Sequence, residues 1–330
     1  MSSTPTFKPF RIGHIEVSPP AMLAALAGYT DLPYRLICRR MGARYASTEV
    51  TLDTSINLSP RVRNKLIQTH PDDHPLAAQI MGVRAESMVT AARHVVAMGC
   101  DVVDLNFACP VRKVIGRRRG GHMMRAPETA IEVLRAVRSA VDVPVTVKLR
   151  CSFAEQDTTH EAFWRIAEAA FDAGVAAICV HGRSVEQHYS GRCDWGFLAE
   201  VKRHFADKTV LGSGDLMHPE DAVRMIQETG VDGVAFARGA LGNPWIFGQF
   251  AQLVAGEPVT LPTLADQRAV LEEHYRLCLE QFGLERGPRM IYRFGIKYAS
   301  YHPTPKVVRM AFINAGIGEK FNEIIAEHYN

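Results

Sequence analysis

The sequence predicts an α/β fold: a (β/α)8 TIM barrel followed by a small all-helical C-terminal domain. Three observations predict it. Eight short apolar runs alternate with segments of helical period over about 240 residues, the pattern and size of such a barrel. The alternation stops near Gly256-Glu-Pro-Val-Thr-Leu-Pro262, beyond which only helical periods remain. No G-x-G-x-x-G opens the first helix, which disfavours the rival doubly wound open sheet. The expected boundaries are residues 1–257 for the barrel and 258–330 for the helical domain.

Residues 1–20 read as an irregular arm, because Pro19-Pro20 prevents a helix from starting there. The apolar runs are residues 21–27, 45–50, 76–81, 102–105, 143–149, 176–180, 210–211 and 233–236. Gly28-Tyr-Thr-Asp31 turns the chain after the first run, with Thr30 or Asp31 placed to cap a helix over 32–41. The clearest later helices are 86–98, 127–141, 160–173 and 219–229. Proline and acids occupy the first turns at Pro127-Glu128 and Pro219-Glu-Asp221, while Gly99, Gly174 and Gly230 follow helix ends. The C-terminal part reads as helices over 265–282, 289–298 and 319–328.

Composition bounds the function more loosely. The 330 residues are 47% hydrophobic and 22% charged, an ordinary globular balance, and the net charge of +3 permits an anionic partner without demanding one. Seven dispersed cysteines without a C-x-x-C pair read as reduced thiols, and zinc-type spacing is missing. No run approaches membrane-spanning length. A cytoplasmic monomer with no metal and no membrane attachment is therefore expected.

Barrel enzymes carry their chemistry at the carboxyl ends of the strands. Those ends hold Gln79 after the third run, Asn106 and Cys109 after the fourth, Lys148 and Arg150 in the fifth, and His181 and Arg183 after the sixth. Gly212-Ser-Gly-Asp215 follows the seventh run and Ala237-Arg-Gly239 the eighth. Barrels frequently bind phosphate with these last two loops, and Gly214 and Gly239 permit close backbone approach while Arg238 offers a cationic fork. The pattern thus points to a phosphate-bearing ligand. Lys148 would stabilise negative charge on an aromatic cofactor such as a reduced flavin. Cys109 would serve as proton donor or as nucleophile, and the residues alone leave both open.

The ordered segments Ala27-Gly-Tyr-Thr-Asp-Leu-Pro-Tyr-Arg35, Gln79-Ile-Met-Gly82, Asp104-Leu-Asn-Phe-Ala-Cys-Pro110, Val147-Lys-Leu-Arg150, His181-Gly-Arg183, Tyr189-Ser-Gly191, Gly212-Ser-Gly-Asp215 and Ala237-Arg-Gly-Ala-Leu-Gly-Asn-Pro-Trp-Ile-Phe247 carry a resemblance. The chain resembles the tRNA-dihydrouridine synthases, the bacterial B-type branch most closely, from about residue 20 to 252 and more weakly beyond. The resemblance implies an FMN-bearing barrel, NADPH as reductant, tRNA as partner and a helical tRNA-binding domain. It makes Cys109 the proton donor and Asn106 a uracil contact. FMN contacts are implied at Ala25, Leu26, Ala27, Gln79, Lys148, His181, Ser213, Gly214, Asp215, Ala237 and Arg238.

Lys113, Arg117, Arg118 and Arg119, with Arg293 and Lys297, are the basic residues expected to meet the RNA. Three places differ from the family pattern: Ala24-Ala-Leu-Ala-Gly28, Ala108 where a glycine is usual, and Arg293-Phe-Gly-Ile-Lys297. Ala108 predicts a restricted backbone path for its loop. Two other functions fit parts of the pattern: an FMN-dependent ene-reductase or dehydrogenase of a small molecule, and an RNA-binding protein without catalysis.

Overall fold

The computed structural model describes residues 7–315 and 320–330. Eight parallel strands form its centre: β1 (Ala21–Leu23), β2 (Ala46–Ser47), β3 (Leu76–Met81), β4 (Val102–Asn106), β5 (Val145–Arg150), β6 (Ala177–His181), β7 (Thr209–Ser213) and β8 (Gly233–Phe236). Each pairs with its sequence neighbour, and Val234 opposite Ala21 closes the barrel. The strands are near-continuous apolar runs because both of their faces are covered, one by helices and one by the barrel interior. The run expected over 45–50 is shorter as a strand. It breaks after Ser47, and Thr51–Leu52 then pairs with the end of β3.

Register decides what faces the barrel axis. Gln79 lies opposite Asp104, and Asp104 opposite Thr146. One layer higher, Asn106 lies opposite Lys148, and Lys148 opposite Cys179. Arg150 lies opposite His181, and His181 opposite Ser213. With a two-residue period these positions share one face, so the interior changes from apolar below to polar at the carboxyl end.

The arm expected to be irregular is instead a β-hairpin across the amino end of the barrel. Phe10–Ile12 pairs antiparallel with Ile15–Val17 around Gly13-His14. Phe10, Ile12, Ile15 and Val17 join Met22, Tyr45, Ala77, Val102, Leu211 and Ala235 in one buried cluster. A Cβ on Gly233 would stand 2.5 Å from the Phe10 ring, so the strand is bare where the hairpin seats. Residues 1–6 of the arm lie outside the described residues.

The outer helices include two not singled out in the sequence, Trp195–His204 and Ile246–Ala255. Asp194 caps the first of these through Phe197 N at 2.9 Å. The C-terminal region begins with a long helix, Leu264–Tyr298, opened by a reciprocal Thr263–Asp266 cap. It is broken at Gly283, whose φ of 73° and ψ of 174° are not helical, so the two segments expected on either side stand as two rods. Helices Pro305–Asn314 and Phe321–His328 complete it, with Glu319 of the expected last helix outside the described residues. Phe294 stacks on Tyr34 of the first barrel helix, Leu32–Arg40, at 4.7 Å, and Gly295 admits the Phe312 ring that a Cβ would strike at 2.5 Å. No described helix is long and apolar enough to cross a membrane.

Candidate active site

A cavity of about 360 Å³ opens at the carboxyl ends of the strands, within the range of ligand pockets. Ala25, Leu26, Ala27, Gln79, Asn106, Cys109, Lys148, His181, Ser213, Gly214, Asp215, Ala237 and Arg238 all line it. The structure thus brings together every residue singled out for the cofactor and the thiol. It places the basic residues differently. Lys113, Arg117 and Arg118 are exposed on the loop beyond Cys109 and do not line the cavity. Arg119 turns back to Asp53 at 3.8 Å and Thr54 at 3.5 Å, which ties its loop to the one after β2. The Arg293 guanidinium lies 5.0 Å over the ring of Tyr29, a cavity residue, whereas Lys297 is half-buried with its backbone against Gly242.

The thiol is held by its loop. Asn106 Oδ1 accepts the backbone N–H of Ala108 at 3.1 Å and of Cys109 at 2.9 Å. Cys109 O accepts from Gly121 N at 2.9 Å, and Arg150 Nε donates to Ala108 O at 2.9 Å. Ala108 keeps a negative φ, so the alanine imposes no left-handed strain on the loop. Gly120 does take φ of 57°, with the Cys109 Cβ 2.9 Å from where its own would be. Burial pushes the Cys109 thiol above its ordinary value, opposed by a hydrogen bond from the Val111 backbone and by the Arg150 charge. It is the one cysteine of seven that is not buried.

Beneath the thiol loop runs a polar network. Asn106 Nδ2 donates to Gln79 Oε1 at 2.6 Å, and Gln79 Nε2 donates to Asp104 Oδ2 at 2.6 Å. Thr146 Oγ1 donates to Asp104 Oδ1 at 2.7 Å. Burial raises the Asp104 carboxyl, and the Gln79 and Thr146 hydrogen bonds and the Lys148 charge oppose that rise. Lys148 Nζ lies 3.4 Å from Cys179 Sγ and reaches the cavity from its floor.

The opposite wall is organised by Arg183, whose side chain is 2% exposed. It donates to both oxygens of Asp215 at 2.7 and 2.8 Å, to Ser190 O at 2.9 Å and to Gly191 O at 2.7 Å. Its Nη1 stands 3.3 Å from His181 Nε2. A guanidinium only donates, so Nε2 accepts and the imidazole proton sits on Nδ1. Burial first, then the charges of Lys148, Arg150, Arg183 and Arg238, lower His181 to about 2, which keeps the ring neutral. Gly214 has φ of 120°, and a Cβ there would meet Cys193 Sγ at 2.4 Å. A Cβ on Gly239 would meet Leu216 O at 2.1 Å, so both turns are bare for close packing.

Several positions around the cavity were given no role from the sequence, although Arg150 and Arg183 were named at their strand ends. Tyr189 is half-exposed at the rim, with Arg238 4.7 Å and Arg150 5.6 Å from its ring centre. Asp104, Arg150 and Arg183 carry the positioning bonds just described. The two-residue period that places Asn106 and Lys148 inward also places Asp104 and Arg150 inward, so that signal was present for those two.

A barrel whose carboxyl end gathers a loop thiol, a floor cation and two glycine turns defines a class, and comparisons with known proteins narrow it. Residues 22–322 match the model of the family described as Dihydrouridine synthase. The chain is 36% identical over 299 residues to tRNA-dihydrouridine synthase B of Xanthomonas axonopodis pv. citri, covering 89% of this chain and 87% of that protein. It is 34% identical over 316 residues to a probable tRNA-dihydrouridine synthase of Mycobacterium tuberculosis, covering 91% and 80%. Among solved structures it is similar to a 2-naphthoyl-CoA reductase, with a TM-score of 0.60 at 14% identity, covering 76% of this chain and 52% of that one. At 14% identity that last likeness concerns the fold alone. The chain belongs to the dihydrouridine synthase family and is an oxidoreductase.

Proposed function

We propose that the chain is a flavin-dependent tRNA-dihydrouridine synthase, reducing the C5=C6 bond of specific uridines in tRNA with NADPH by way of FMN. The observation that carries this reading is the convergence of Cys109, Lys148 and the two bare turns on one cavity, in a chain of this family. The residues present fit FMN. Ser213, Gly214, Ala237 and Arg238 would hold the phosphate, as loops after β7 and β8 commonly do. Ala25, Leu26 and Ala27 would give an apolar wall, Gln79 and the Nδ1–H of His181 would donate hydrogen bonds, and Lys148 would stabilise negative charge on the ring. Asp215, bound to Arg183, would shape the turn rather than meet the phosphate. Bound FMN, reduced by NADPH, would supply the hydride for C6 of the uracil.

The chain's own part is the proton. Cys109 gives its thiol proton to C5, and solvent restores it. Burial suits the thiol to this work, because a raised pKa keeps the acid form populated. The second N–H of Asn106 Nδ2 remains for a uracil oxygen.

The cavity also meets, at Ala27 and Val50, a groove of about 390 Å³ between barrel and helices. Asp31, Arg35 and Glu49 line one side, and Phe282, Arg286 and Met290 the other. This supports residues 258–330 as the tRNA-binding domain, with Arg293 holding Tyr29 at the junction. Lys113, Arg117 and Arg118 would meet phosphates at the other rim.

Purified protein should show flavin absorbance and form dihydrouridine in unmodified tRNA with NADPH. Colourless protein that takes up no FMN would end the proposal. Flavin binding without dihydrouridine would turn it toward the small-molecule ene-reductase. Mapping dihydrouridine in tRNA from cells with and without this protein would identify the uridine.

A further inference from the structure

Each amide in the network under the Cys109 loop has a direction, and the direction is fixed from the loop end. Backbone N–H groups of Ala108 and Cys109 only donate, so the atom facing them at 3.1 and 2.9 Å is Asn106 Oδ1. Asn106 Nδ2 is then turned to Gln79, and the atom receiving it at 2.6 Å is Gln79 Oε1. Gln79 Nε2 is left facing residue 104 at 2.6 Å and requires an acceptor there. Asp104 supplies one. Its second oxygen accepts from Thr146 at 2.7 Å, so the carboxylate cannot swing away without leaving a buried donor unpaired.

We propose that Asp104 is a positioning residue that sets the orientation of the Cys109 loop through Gln79 and Asn106. The proposal rests on the acid role of Cys109 for its catalytic meaning, and its geometry is independent of that role. Asp104 is 6% exposed, Gln79 1% and Asn106 7%, so a lost link leaves a largely buried polar atom short of its partner. Without an acceptor at 104, Gln79 Nε2 loses its buried partner and the Gln79 amide is held by the Asn106 bond alone. Asn106 then rests on a looser support, and the Ala108 and Cys109 N–H groups that it anchors move with it.

The test is the rate at which iodoacetamide alkylates Cys109, followed by mass spectrometry of its peptide. The six other cysteines are buried and report on global opening in the same sample. Asp104→Leu and Gln79→Met should each speed labelling of Cys109 about tenfold, the effect of losing roughly one net hydrogen bond at the loop. The double variant should label no faster than either single, because a relay broken once is not broken further. Asp104→Asn should stay within about twofold of the wild type, since its amide oxygen still accepts from Gln79.

Wild-type labelling in Asp104→Leu would overturn the proposal, as would single effects that multiply in the double variant. Should Asp104→Leu also expose the buried cysteines, Gln79→Met carries the test, and an unchanged rate there overturns it. Dihydrouridine formation by Cys109→Ala tests the acid role separately, so either idea can fail while the other stands.

Discussion

Replacing Arg183 with methionine should loosen the wall opposite the thiol by a predictable amount. Methionine keeps much of the buried volume and removes every donor. The lost bonds are those of Nη2 to both Asp215 oxygens and the Gly191 carbonyl, of Nε to the Ser190 carbonyl, and of Nη1 to His181 Nε2. Breaking a buried ion pair costs about 3–5 kcal/mol. Asp215 is 33% exposed and keeps the Cys193 N–H at 2.7 Å, so solvent screening places the cost near the low end, about 3 kcal/mol. For 330 residues, unfolding entropy of roughly 2.1 cal/mol/K per residue converts this to a fall of about 4 °C in the thermal midpoint. Calorimetry of the wild type and the variant, each after exhaustive dialysis, measures it. The same samples should show weaker FMN retention, because the 213–215 turn loses its brace. A midpoint unchanged within error would refute the reasoning, since it would mean that Asp215, His181 Nε2 and two carbonyls find equal partners without the guanidinium.

Other expectations follow from charge and burial. The raised Cys109 thiol should hold its proton beyond the ordinary value of 9.0, so the alkaline limb of the pH–rate profile should lie above that pH; a limb below it would exclude Cys109 as the acid. Arg117→Ala and Arg118→Ala should each reduce the salt slope of tRNA binding by about one, while Arg119→Ala, whose side chain is turned to Asp53, should change it less. Titrating binding against salt distinguishes them.

Asp31 is raised by burial to about 7, so its ionised form is disfavoured in the folded state. The proton-linked contribution is full below 3.8 and is lost as pH rises through about 7. Asp31→Asn keeps the cap on Tyr34 N and should therefore raise the thermal midpoint at alkaline pH and leave it unchanged in acid. A gain independent of pH would count against burial of the charge as the cause.

Much of the barrel was legible because parallel strands covered on both faces leave unbroken apolar runs such as Leu76–Met81. The cavity lining was legible because barrel topology turns a list of strand ends into a neighbourhood. The hairpin was missed although Phe10-Arg-Ile12 and Ile15-Glu-Val17 alternate around a two-residue turn. Three-residue strands are weak as pattern, and they gain stability only from the barrel floor they cover. Arg119 shows a different limit. In sequence it belongs with Arg117 and Arg118, and only the approach of Asp53, more than sixty positions earlier, separates it from them. Phe294 is similar: its place at the helical junction depends on Tyr34 and His274, neither of them near in sequence.

The hairpin also leaves the barrel one working face. Phe10, Ile12, Ile15 and Val17 bury against the floor strands, and a barrel interior is packed with side chains, so the cysteine is reached from the carboxyl-end rim. On the function proposed above, a dinucleotide reductant and a folded RNA would share that rim, and an excess of either should slow the other.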